Sequence, residues 1–465
     1  MTTASESQQD LHEFLDSYAA EHPDDVLGVD SRLDGDQDIC AIVWELARRG
    51  ERPLVVCHDV EGVQGRVVTN LFASRERIAS ALGTTVGGLH AAFHDRATSP
   101  QPLNTLDAGP VTANVVSGEE VDLAELPMIG HFAGDRGPYF TSAIIIGEDP
   151  DGGRGNASYH RAMRHSRNQL ATSLHSKGHL WRYLKRAADR GQRLPVAMVI
   201  GGHPLFMLGC AARVGIDIDE RTIAGGLFQA GLEVVQTPRY GIGVPASADF
   251  VLEGYLDPNA HAPEGPFGEF SGYSSGRSTN DLLTVETVMR RADALLLDVV
   301  GGHSADHLTL SRLPRESEMV ARIKERFPEV ERLVYPSSGT HFHCYVSLNQ
   351  PVPGYARQVI LAMLGWDPYL KLVVTVDPDI NVDDDSEVLW AVATRFQASR
   401  DLMVVDQLPG HLLDPSSARD GRTSRMGIDA TMPEDFEGKP LVIDEDSVER
   451  ARRLVASRHR TPSAS

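Results

Sequence analysis

Positive charge is what this chain has least of. Its 465 residues carry 44 Lys and Arg against 65 Asp and Glu, a formal net charge of −21. A sequence-independent nucleic-acid binder needs a basic surface to displace counterions from phosphates, so nucleic acid is a poor partner. Cysteine is scarce too. Cys40, Cys57, Cys210 and Cys344 lie far apart with no CxxC pair. That spacing suggests neither a disulfide framework nor a zinc ribbon, and the four read as buried free thiols. The longest apolar runs, over 194–200 and 292–300, are far too short for a bilayer. The opening MTTASESQQD has neither the basic nor the apolar region of a secretion signal. We therefore expect a cytoplasmic protein with no membrane partner. No Walker or GxGxxG fingerprint occurs, so the usual nucleotide readings lose their support.

The composition that remains, 41% hydrophobic and 23% charged, is that of a globular chain long enough for two or three domains. Over 1–110 the pattern predicts an α+β module, with helices over 10–20, 36–49 and 74–82 and strands over 53–60 and 66–70. The helix stops at Gly50 and Gly83 suit the left-handed conformation of a helix C-terminus. Over 111–310, short apolar runs separated by Gly, Pro, Asp and Asn predict a β-rich domain with inserted helices, one over 179–190. Over 311–465, strands and helices alternate as in a three-layer α/β domain, with helices over 315–326, 354–364 and 386–396. Residues 407–440, rich in Gly, Pro, Asp and Ser, read as a long functional loop. The terminal SVERARRLVASRHR reads as a basic amphipathic helix that docks on the chain or on a second subunit.

Three segments could carry chemistry. In Glu264-Gly-Pro-Phe-Gly-Glu269, a turn that Gly268 and Pro266 can shape is able to point both carboxylates into one cavity, which would separate their pKa values and yield a proton donor. A solvated acidic turn satisfies the same spacing. In Asn156-Ala-Ser-Tyr-His-Arg161, an Arg beside paired carboxylates could grip an anionic substrate, although the segment alone is weak and favours a surface Arg. His175-Ser-Lys-Gly-His179 offers a histidine that, with an amide and a carboxylate, would make an oxygen-rich site for manganese or magnesium. Other clusters carry less. Asp377, Asp379, Asn381 and Asp383 mimic a calcium loop, but Val382 and Val388 replace its Gly and Glu. His341 and His343 alternate on an expected strand, and His303, Asp306 and His307 can cap a helix start.

Taken together, VVTNLFASRERIASALG, NASYHRAM, GHLWRYL, LPVAMVIGGHP, IDERTIAGGL, EGPFGEFSGY, DDDSEVLWAVATRF and SRMGIDAT resemble the UbiD family of reversible decarboxylases that use prenylated FMN. The resemblance implies a central FMN-binding split β-barrel between an N-terminal α+β module and a C-terminal three-layer α/β domain, in a multidomain α+β and α/β chain. It implies a Glu-Arg-Glu network of Arg161, Glu264 and Glu269, with Glu269 protonating the carbon after CO₂ leaves a covalent adduct with the cofactor. Asn156, His179 and Glu220 would hold Mn²⁺ on the cofactor phosphate, with K⁺ near Glu220. Ser158 and Arg425 would also contact the cofactor. Ser158 and His160 stand where the family often has Gly and Tyr, and Arg425 stands where it has Lys, keeping the charge. Leu310 matches a substrate-facing position. The expected substrate is an aromatic, heteroaromatic or α,β-unsaturated carboxylic acid, preferably a planar heteroaromatic one, exchanging CO₂. A flavin prenyltransferase would supply the cofactor, and the chain would be at least a homodimer. A flavin oxidoreductase on a similar barrel and a non-catalytic flavin- and metal-binding assembly subunit are the alternatives.

Overall fold

Asp10 caps the first helix, α1 (Leu11–Glu21), by accepting the His12 N–H, and the helix buries Leu11, Leu15 and Tyr18 on one face. The computed structural model describes residues 9–175, 178–276, 278–418, 420–439 and 441–458. Helices α2 (Asp38–Arg48), α3 (Arg75–Ala81) and α4 (Leu89–Ala97) follow, with strands Val26–Val29, Leu54–Cys57 and Val67–Thr69 in a small sheet completed by Leu296–Leu297. Gly50 and Gly83 both take positive φ beyond their helices, as expected.

The central unit is built on a nine-stranded sheet whose middle strands are Asp281–Arg290, Phe250–His261, Leu194–Ile200 and Ile144–Glu148. Of these, Leu194–Ile200 reads as an unbroken apolar run because both of its faces are covered. Along 194–200, Val196, Met198 and Ile200 enter one core cluster, while Ala197 and Val199 enter another. The first cluster includes Leu180, Tyr183 and Leu184 of α5 (His179–Asp189). The second takes residues of α6 (Pro204–Cys210) and α7 (Glu220–Phe228). The multidomain α+β fold expected from the sequence is the one observed.

Helix α8 (Ala305–Arg326) joins the central and C-terminal units. Its first half packs Leu310 and Leu313 into a central core cluster, and its second half packs Met319 and Ile323 into the C-terminal core. The helix runs through Pro314, so a domain division at 310/311 cuts a single element, and the start expected at 315 is ten residues late. A proline ordinarily breaks a helix interior, which is why the sequence reading stopped there. Ser304 caps α8 by accepting the His307 N–H, and Asp306 reaches back to accept N–H bonds from Asn70 (3.1 Å) and Phe72 (2.6 Å).

The C-terminal unit is a five-stranded sheet in the order Val330–Val334, His343–Leu348, Leu372–Val376, Arg422–Asp429, Leu402–Pro409. Helix α9 (Tyr355–Trp366) covers one face with α8, and α10 (Asp385–Arg395) covers the other; the short α11 (Ala398–Asp401) precedes the edge strand. The expected loop over 407–440 is corrected here: Arg422–Asp429 is an inner strand paired with Leu372–Val376 and Leu402–Pro409. Its charged and glycine-bearing sequence hid it. His341 lies in a turn before its strand, buried and bonded to Ser311 and Arg315, so the expected strand pair with His343 does not form. Asp377 and Asp379 pair with Arg395, in keeping with the rejection of a calcium loop. Helix α12 (Glu445–Arg458) leaves Leu454 and Val455 exposed, so it does not bury an apolar face on its own chain there. All four cysteines are buried and free. No helix among the described residues is long and apolar enough to cross a membrane.

Candidate active site

Two sequence-distant turns make the acid and base cluster. Arg161 sits between strands Gly155–Tyr159 and Ala162–Ser166, its carbonyl held by Thr172 Oγ1 at 2.7 Å. Its guanidinium donates through Nε (2.8 Å) and Nη2 (3.2 Å) to the two oxygens of Glu264, and through Nη1 (2.6 Å) to Oε1 of Glu269. The Phe267 ring lies 4.7 Å from the guanidinium carbon, a cation–π contact. Glu264 is 3% exposed and Glu269 9%.

The 264–269 turn is held from several directions. Gly265, at φ +81°, donates its N–H to the Tyr139 hydroxyl, and the Glu264 N–H goes to Asn280 Oδ1. The Gly268 N–H goes to Asp135 Oδ1 at 3.0 Å. Glycine is required at 268 because a Cβ there would lie 2.5 Å from the Phe132 ring.

One cation facing two buried carboxylates leaves one negative charge in excess if both acids ionise, which is costly away from water. Glu264 takes a bidentate bond, whereas Glu269 takes one, so Glu269 is the group positioned to keep a proton. Burial pushes its carboxyl up, Arg161 opposes this, and Glu264 and Asp135 push it up further, for a net rise.

A second cluster gathers Asn156, His179 and Glu220. Asn156 Nδ2 donates to both Glu220 oxygens at 2.9 Å, the Ala157 N–H donates to Oε2 at 2.9 Å, and His179 Nδ1 stands 3.7 Å from Oε1. His179 and Glu220 open α5 and α7, where the helix dipole favours anions; the α7 end is already capped by Asp219, which accepts the Arg221 N–H. Ser158 Oγ lies 3.0 Å from Asn156 Oδ1 and 2.9 Å from His160 Nε2, while His160 Nδ1 faces the Ser173 carbonyl at 3.1 Å. Burial holds the His160 pKa down at about 4, so the ring is neutral, Nδ1 carries the hydrogen and Nε2 accepts. The single hydroxyl hydrogen of Ser158 then belongs to His160, which leaves Asn156 Oδ1 facing a lone pair. An amide oxygen, a carboxylate and an imidazole, with one oxygen lacking a proton donor, fit a hard divalent cation.

The structure therefore brings together Arg161, Glu264 and Glu269, and also Asn156, Ser158, His179 and Glu220. One expected position is corrected, and a second is not brought to this cluster. Arg425 is 4% exposed and donates to the carbonyls of Leu364, Asp367, Pro368 and Pro409, a tie within the C-terminal unit rather than toward this cluster. Leu310 is packed in a core cluster. Ser176 and Lys177 of the 175–179 segment lie outside the described residues. Sequence reasoning missed Asp135 and Tyr139. Their signal was the Gly/Pro-punctuated, charged run Gly134-Asp135-Arg136-Gly137-Pro138, a turn of the same kind as 264–269.

Phe270, next to Glu269, packs against His341 (4.5 Å), Phe342 (5.5 Å), Tyr369 (6.0 Å) and His411 (5.5 Å). The C-terminal unit thus packs on the residue that follows Glu269.

Comparison with known proteins gives three family matches along the chain. The 3-octaprenyl-4-hydroxybenzoate carboxy-lyase (UbiD) N-terminal, Rift-related and C-terminal domains match residues 18–96, 104–304 and 308–430. A relative from Methanothermobacter thermautotrophicus, anhydromevalonate phosphate decarboxylase, is 31% identical over 389 residues, covering 83% of this chain and 90% of its own. The UbiD-class enzyme HmfF from Pelotomaculum thermopropionicum, solved with FMN, superposes with a TM-score of 0.88 at 32% identity, covering 95% of this chain and 99% of its own. An evolved dimeric form of the same enzyme, solved with prFMN, gives 0.84 at 29% identity, covering 94% and 99%.

Proposed function

The chain belongs to the UbiD family of carboxy-lyases, and on that premise we propose that it carries out the reversible, non-oxidative decarboxylation of an aromatic, heteroaromatic or α,β-unsaturated carboxylic acid, with Glu269 as proton donor. The observation that carries this reading is the buried Arg161 cation shared bidentately with Glu264 and singly with Glu269. Arg161 draws in the substrate carboxylate and orients the carbon–carbon bond that breaks. Glu264 fixes the guanidinium plane. Glu269 holds its proton until CO₂ has left, delivers it to the carbon, and is reprotonated from solvent. In the carboxylation direction the same carboxylate removes that proton.

Prenylated FMN, when bound, supplies the electron sink for the pair left on carbon. Asn156, His179 and Glu220 would hold Mn²⁺ against its phosphate with K⁺ close by, and the N-terminus of α5 favours that anion. A flavin prenyltransferase, a cytoplasmic setting and assembly into at least a homodimer through α12 complete the proposal. The curated relative is named for anhydromevalonate phosphate, so an aromatic ring is not a requirement of the reading. An oxidoreductase would have no need of a second acid aimed at Arg161.

The test is protein produced together with a flavin prenyltransferase, with its visible spectrum and bound-cofactor mass recorded, then offered a panel of aromatic, heteroaromatic and unsaturated acids. A modified flavin and CO₂ release from a member of the panel are expected. Flavin reduction by nicotinamide, with no CO₂ from any acid, would overturn the proposal.

A further inference from the structure

The loop over 131–138 holds the glutamate turn from outside. Asp135 Oδ1 accepts the Gly268 N–H at 3.0 Å, Asp135 Oδ2 accepts the Phe132 N–H at 3.2 Å, and the Arg136 N–H donates to the Pro266 carbonyl at 3.1 Å. The Phe132 ring occupies the space where a side chain at 268 would stand. The residue immediately before Glu269 is therefore fixed by a carboxylate on one side and a ring on the other. Within the site already described, Asp135 has no assigned role.

We propose that Asp135 is a positioning residue for proton transfer: it pins the turn that carries Glu269 and sets its carboxylate against Gly268, the residue before Glu269. This rests on the reading of Glu269 as the donor. The charged groups facing Glu269 are Arg161 between its two strands, Glu264 in the same turn and Asp135 in the loop. Those facing Asp135 are Arg161 and His131, with Cys40 of α2 close by. His131 is fully buried and already paired with Asp298 at 2.8 Å, and Asp298 also accepts from Thr141 at 2.6 Å. A protonated His131 is thus balanced by Asp298. Arg161 is shared by two glutamates. Neither cation is dedicated to Asp135; burial pushes its own carboxyl up, His131, the Phe132 and Gly268 N–H groups and Arg161 oppose this, and in its ionised form its charge acts on Glu269.

Removing a negative neighbour favours the ionised form of Glu269, so its proton is lost at lower pH. Asp135→Asn removes the charge and keeps one acceptor; Asp135→Glu keeps the charge. In cofactor-free protein, the infrared carbonyl band of protonated Glu269, assigned by its loss in Glu269→Gln, is titrated in each variant. In the cofactor-loaded enzyme, kcat and KM are followed against pH. The Asn variant is expected to titrate about one pH unit below wild type, with the alkaline limb of kcat moving the same way and KM nearly unchanged. The Glu variant should restore the midpoint. If Asp135→Asn does not fold, Asp135→Ser replaces it in the same titration. A folded, charge-free variant with the wild-type midpoint, or a Glu variant displaced as far as the Asn variant, would overturn the inference. Wild-type turnover in Glu269→Gln would instead overturn the donor reading, and the infrared midpoints would still decide the role of Asp135.

Discussion

Arg161 makes three hydrogen bonds to two acids, and this shared geometry predicts non-additive mutational effects. Arg161→Lys keeps a positive charge but loses the planar fork, and Glu264→Gln removes the bidentate partner. Each single change is expected to lower single-turnover decarboxylation by on the order of a hundredfold with little change in melting, and the double variant should be barely worse than either. Additive losses would mean that the two side chains act independently. In the second cluster, His179→Ala or Glu220→Ala should remove manganese and flavin together, measured by elemental analysis and absorbance on the same sample. Full flavin occupancy without metal would detach these residues from cofactor binding.

Glu264, Glu269, Asn156 and Arg161 were legible in the sequence because their chemistry is local: two acids around one turn, and an Asn and an Arg in one short segment; Glu220 came only with the family resemblance. Asp135 was not, because its partner is Gly268, and nothing in either segment says that the two turns meet. Arg425 misled for the opposite reason. Its charge matched a phosphate-binding position, while its burial among four carbonyls is a property of the folded C-terminal unit.

At the scale of elements, α8 is the part whose placement the sequence concealed. Pro314 disguised a helix that carries core residues of two units, and Asp306 ties its start to the loop over 70–72. Burial pushes the Asp306 carboxyl up to about 7. A carboxyl raised on folding binds its proton more tightly in the folded than in the unfolded chain. Its contribution to stability is therefore full below about pH 4 and is lost as pH rises to about 7. Asp306→Asn escapes that loss. The melting temperature of the variant relative to wild type is expected to rise by about 2 °C or more between pH 4 and pH 7; parallel melting curves across that range would show that Asp306 is not the titrating group. The strand Arg422–Asp429 was hidden differently. An inner strand usually reads as apolar, but here Arg425 and Gly427 occupy it, and Gly427 is needed because a Cβ would meet Ile360 of α9 at 2.2 Å.

At the scale of the whole molecule, the alternation of units was readable from the periodicity of apolar residues, whereas the way the C-terminal unit closes on the central one was not. Tyr369 stacks on His411 at 4.2 Å, lies beneath Arg213 and Arg315, and reaches Phe270 beside Glu269. Tyr369→Ala should therefore lower turnover about tenfold by admitting water to the donor's flank, while the bound-flavin spectrum stays unchanged; undiminished turnover would show that this cover is dispensable.

On the reading proposed above, a proton from Glu269 replaces CO₂ on the product carbon. Single-turnover decarboxylation in D₂O, comparing the cofactor-loaded wild type with Glu269→Gln, tests it most directly. Wild type should release CO₂ and place one deuterium on the carbon that bore the carboxylate, and the Gln variant should do so at least a hundredfold more slowly with its flavin still bound. Equal rates and equal deuterium in the two proteins would show that Glu269 is not the proton donor.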